Sequence, residues 1–183
     1  MAAQTTQGTG PGSAADIKPK IYNGTVKSDN LAPKSVVGSK LVNSPVVVTD
    51  STVTVNAVDH AERTIVLKRT AGVTVTLPAA IGSGNKYSFV VGATVTSNNY
   101  IIKVANANDS MVGRALAPAD GGSTVNGWEV VSGDDTVTLN GSTKGGYIGD
   151  TIEIVDVADN IFVVNALLNQ TSTEATPFSA TVS

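Results

Sequence analysis

The chain has 183 residues, no cysteine, 4% aromatic and 15% charged residues, 18 glycines and a formal net charge of -3. The missing cysteine excludes disulfides, thiolate metal sites and a cysteine nucleophile, while the length suffices for one domain whose core needs no metal. The apolar residues are mostly Val, Ile, Leu and Ala, and with Thr they favour pleated strands; no run approaches the roughly 18 apolar residues of a membrane span.

In chain order, residues 1–16 are, besides Met1 and Asp16, Gly, Ser, Thr, Gln and Ala with one Pro. They bury too little apolar surface to offset backbone entropy, so disorder is expected. They carry no basic n-region followed by an apolar h-region, so no secretory signal is expected and synthesis in a cytoplasm is the simple reading. The next stretch, to Ser44, sets single apolar anchors (Ile17, Ile21, Tyr22, Leu31) among Pro and Gly without helical period. It reads as an extended arm that needs a partner, able to reach on the order of 140 Å at about 3.3 Å per residue. Residues 1–44 hold five lysines against two acids, whereas 45–183 hold seven basic and thirteen acidic residues. A basic arm therefore precedes an acidic body.

From Pro45 the pattern becomes short strands bounded by turn residues. Strands are expected within 46–58, 64–69, 72–78, 86–92 and 100–106, then within 127–131, 136–140, 150–157, 160–168 and 178–182. The intervening IGSGN, TSNN, ADGGSTVNG, SGDD and NGSTKGG segments are rich in turn formers. About ten strands at this spacing predict an all-β body over 45–183, a β-sandwich or jelly-roll-like domain. Only His60–Arg63 and Ser110–Ala115 suggest short helices.

Residues with catalytic potential are few. His60, the single histidine, lies near Asp59 and Glu62, but without a second His or a Cys a transition-metal site is implausible, and no Gly-x-Ser-x-Gly elbow accompanies it. An ordinary loop or surface histidine is the expectation. Asp134/Asp135 and Glu153/Asp156 are nominal carboxylate pairs for glycoside hydrolysis. The first pair reads as turn residues bonding their own backbone. The second pair is spaced oddly on one strand and faces opposite sides of the ladder, so both read as solvated. Loop acids without EF-hand spacing give only a weak calcium signal. Trp128 reads as a core plug. Three function classes stay in view: a structural protein, a glycan-binding module and an enzyme on cell-wall polymer. No catalytic, cofactor or metal residues are expected, and the arm's lysines lack the arginines and clustering expected for nucleic acid.

The stretch TIVLKRTAGVTVTLPAAIGSGNKYSFVVGATVTSNNYIIKVANANDSMVGRA (64–115), the run GDTIEIVDVADNIFVV (149–164) and the closing TEATPFSATVS (173–183) resemble bacteriophage virion proteins. The motifs are the Thr76–Ala80 turn with Gly82–Gly84, the strand Phe89–Gly92 and the strand Gly149–Asp156. The resemblance covers about half the chain and implies a place in a particle, with no chemistry. It implies a non-enzymatic capsid decoration (cement) protein assembled in the host cytoplasm, binding the major capsid protein on the capsid surface and bridging its subunits. The alternative is a head-fibre or tail-associated protein recognising host glycans through loops such as 118–127 or 140–149. A homotrimer is expected, since a cement protein tends to match lattice symmetry and closed rings hide strand edges. No membrane or nucleic-acid partner is expected. Outside the matched region, composition places capsid or subunit contacts on Ile17, Lys18, Lys20, Ile21, Tyr22, Lys27 and Leu31.

Overall fold

The computed structural model describes residues 44–120 and 122–182. Twelve strands and no helix occur among them. They are β1 (Val46–Val48), β2 (Thr52–Thr54), β3 (Thr64–Leu67), β4 (Val73–Thr76), β5 (Lys86–Val91), β6 (Tyr100–Lys103), β7 (Ser110–Pro118), β8 (Val125–Glu129), β9 (Thr136–Leu139), β10 (Thr151–Ala158), β11 (Ile161–Leu167) and β12 (Phe178–Ser179). They form a seven-stranded sheet in the order β1-β3-β5-β10-β11-β7-β8 and a five-stranded sheet in the order β12-β9-β6-β4-β2. Both sheets mix parallel and antiparallel pairs, in the expected all-β, sandwich-like fold.

The first six strands alternate between the sheets. β1, β3 and β5 pair in parallel in one, and β2, β4 and β6 in parallel in the other. The chain thus makes three rungs of a flattened coil. Identical strand direction brings residues from successive rungs into register, so Val48, Leu67 and Val91 stack on one side and Val53, Val75 and Ile102 on the other. The 46–58 segment, expected as one strand, is split at Asp50–Ser51 so that its halves join different sheets.

The core follows the period-2 rule. In β5, Tyr87, Phe89 and Val91 point in while Lys86, Ser88 and Val90 lie outward, and in β10 Ile152, Ile154 and Asp156 point in. Tyr87, Phe89, Tyr100, Phe162, Ile65 and Leu67 are fully buried; each large apolar side chain so buried stabilises the fold by about 1.5–3 kcal/mol.

Two helical expectations are corrected. His60–Arg63 belongs to a run of turns held by Asn56, and Ser110–Ala115 lies in β7, the longest strand. SMVGRALAP contains Met, Arg, Ala and Leu, all good helix formers, but seven in-register pairs with β11 and five with β8 override that preference. Gly113 makes the pairing possible. At φ 132° it passes so close to Val164 that a Cβ would sit 2.0 Å from the Val164 carbonyl oxygen.

Candidate functional site

The carboxylates named as catalytic candidates are engaged in structure. Asp156 is 2% exposed, at the inner face of β10 beside a bulge. Its Oδ1 accepts from the amides of Ile81 and Gly82 at 3.1 and 2.8 Å, and its Oδ2 from the Ser83 amide and hydroxyl at 3.0 and 2.6 Å. Successive amides converging on one anion form a nest. Burial pushes this carboxyl up, but the Ser83 hydroxyl and the Ser83, Gly82 and Ile81 amides together hold it below its ordinary value. The expectation of a solvated Asp156 is therefore corrected, because the 81–83 turn folds over it. Glu153 is exposed on the opposite face, as the odd spacing predicts, and pairs with Lys86 at 3.5 Å.

Asp134 bonds its own turn, as expected, whereas Asp135 departs from that reading and holds the distant C-terminal segment. Asp134 Oδ2 accepts from the Val131 amide at 3.0 Å. The buried Asp135 accepts from the amides of Thr181 and Val182 and from the Thr136 hydroxyl. A fourth carboxylate, Asp150, was not singled out from the sequence although it is fully buried. It accepts from the Gly146 and Tyr147 amides and from both nitrogens of Asn169.

His60 is buried rather than on the surface, at 8% exposure, because its turn folds against the body; its Nδ1 accepts from the Asn56 amide at 3.2 Å. Trp128 is half-buried and packs on the margin of the core, so it plugs only an edge. Among the described residues no group of three or more His, Cys, Asp or Glu is placed to hold a metal ion, and there is no helix long and apolar enough to cross a membrane. Ile17, Lys18, Lys20, Ile21, Tyr22, Lys27 and Leu31 lie outside the described residues.

Two surface features remain. The first is the outer face of the seven-stranded sheet, where adjoining hollows of about 340 and 530 Å³ share Leu116, Thr151 and Leu167. Leu167 is 62% exposed, Val112 44% and Leu116 40%. Sequence reasoning missed this face, yet NIFVVNALL carries apolar residues on both sides of its alternation, a signal that both faces of the strand are apolar. The second is a hollow of about 260 Å³ where Pro118–Asp120, Gly122 and Tyr147 meet Asn169–Thr171. There the Tyr147 hydroxyl lies 3.0 Å from Thr171 Oγ1, and Asp120 Oδ2 accepts from the Ser172 amide at 2.8 Å.

No known family model, curated protein or solved structure matches the chain.

Proposed function

We propose that this chain is a non-enzymatic decoration protein of a phage capsid, which binds the outer surface of the major capsid shell and bridges neighbouring subunits. The observation that carries the reading is the junction of two of the resembling motifs: Gly82 and Ser83 of one bind the Asp156 carboxylate of the other. Motifs that close on each other are architectural, which suits a protein whose work is mechanical. The four carboxylates Asp134, Asp135, Asp150 and Asp156 serve the same end by tying loops to the body. The basic segment 1–44, with Ile17, Lys18, Lys20, Ile21, Tyr22, Lys27 and Leu31, would supply the capsid contacts, adding area that must be broken before capsomers part. Strand addition to an exposed sheet edge is one physical route, and repetition over a shell supplies avidity.

Purified full-length chain and a version starting at residue 45 are sedimented with expanded capsids that lack the protein. Saturating, lattice-matched binding by the full-length chain alone supports the reading. Binding by neither sinks it.

A second reading, a fibre or tail-associated glycan-binding protein, is favoured by one observation: the hollow beside Tyr147 draws on both loops singled out for that role. Glycan binding that is lost in Tyr147→Ala, without capsid binding, would select it.

A further inference from the structure

We infer that the outer face of the seven-stranded sheet is a docking surface for a second copy of this chain, packed face to face about a two-fold axis that runs along β11, in place of the homotrimer expected from lattice symmetry. The register of the sheet carries the inference. Three rows of outward side chains cross β10, β11 and β7. The first reads Thr151, Leu167, Leu116; the second Glu153, Asn165, Arg114; the third Val155, Val163, Val112.

A two-fold axis parallel to β11 leaves each row facing itself with its ends exchanged. The middle row then sets Glu153 opposite Arg114 of the second copy, twice, with the two Asn165 side chains meeting on the axis. The outer rows set Leu167 on Leu167 and Val163 on Val163, with Val155 opposite Val112. Charge therefore meets opposite charge, and apolar side chains meet apolar or Thr side chains. The neighbouring strands extend the match. Ser88 on β5, next to Lys86, comes opposite Glu129 on β8. A face carrying Lys86, Glu153, Arg114 and Glu129 is neutral in sum, and its Glu153 and Arg114 are antisymmetric about β11, the pattern a self-complementary surface requires. Arg114 makes no ion pair among the described residues, so its cation is left to join the second copy's Glu153, which Lys86 of that copy meets from the side.

The area suffices. Five strands centred on β11, at about 4.8 Å spacing, and the seven residues of β11, at about 3.3 Å each, outline a patch of roughly 24 by 23 Å. Two such patches cover about 1,100 Å², above the ~1,000 Å² that a specific interface needs. Facing sheets pack within about 30° of alignment, which preserves the matches one strand either side of the axis.

Association through this face needs no capsid, so it is tested on the purified full-length chain by sedimentation equilibrium, and its failure is distinct from failure to bind a shell. The wild-type chain is expected at twice the chain mass. Glu153→Arg and Arg114→Glu are each expected to fall to the chain mass, because each places like charges opposite one another twice. An equimolar mixture of the two variants is expected to return to twice the chain mass, with one copy of each. A wild-type monomer, a wild-type trimer, single variants that still pair, or a mixture that does not would each overturn the two-fold packing. Should either charge variant lose its β-sheet circular dichroism, Asn165→Cys decides. In a chain without cysteine, a short bis-maleimide should link this variant into dimers and leave Thr52→Cys, exposed on the other sheet, unlinked; equal or absent linking in both rejects the interface.

Discussion

Ser83 and Asp156 lie 73 residues apart and are joined by a 2.6 Å hydrogen bond from the Ser83 hydroxyl to Asp156 Oδ2. Three amides, those of Ile81, Gly82 and Ser83, point at the same carboxylate. The bulge at Asp156–Ala158 interrupts the regular pairing of β10 with β11 at this point, and bulges commonly re-aim a side chain in this way. The β4–β5 connection is thereby tied to β10.

Removing that anion leaves several donors without their acceptor against a buried position of β10. Asp156→Ala is expected to destabilise the fold by about 3 kcal/mol. In urea unfolding the midpoint should fall while the slope stays constant; an unchanged midpoint would refute the role of the nest.

The same carboxylate sets a pH dependence. Its folded pKa lies below the ordinary 3.8, so between the two values the unfolded chain binds more protons than the folded one. The stabilisation is fully present above the ordinary value and is lost as pH falls through the folded one. Wild type minus Asp156→Asn, compared by thermal unfolding, should therefore show a stability gap that is constant near neutrality and closes in acid. A gap that widens on acidification would contradict the assignment.

Gly113→Ala places a methyl group 2.0 Å from the Val164 carbonyl oxygen at a φ of 132°, so β7 must move away from β11. Strain of this kind costs on the order of 1–3 kcal/mol, and the lost pairing adds to it. A fall in melting temperature with faster amide exchange in β7 and β11 is the expected result. The contrasting substitution, Gly133→Ala, meets nothing within 4 Å and should cost only its backbone strain.

Tyr100 is buried between the sheets and its hydroxyl donates to the Ala93 carbonyl at 2.8 Å. Burial raises the phenol above its ordinary 10.0 against the lowering effect of a backbone hydrogen bond, so the group remains a donor through neutral pH. Tyr100→Phe keeps the ring and loses the bond, and should cost about 1 kcal/mol. A far larger loss would mean that the hydroxyl holds the 92–100 connection on its own.

Strands β3 to β6 and β9 to β11 are legible in the chain because alternating Val, Ile, Thr and aromatic residues between Gly- and Asn-rich turns have few other ways to bury one face. The opposite facing of Glu153 and Asp156 is legible for the same local reason, since side chains alternate along a strand. Burial of Asp156 is not, because the amides that solvate it come from a turn more than seventy residues away. β7 was hidden by its helix-forming composition, and its identity as a strand comes from neighbours on both sides. The division of 46–58 between two sheets, the parallel stacking of three rungs and the antisymmetric charge row about β11 all depend on which strands lie side by side. Alternation says which residues share a face of one strand, but pairing between distant strands is a long-range choice, and it alone brought Glu153, Asn165 and Arg114 into one line.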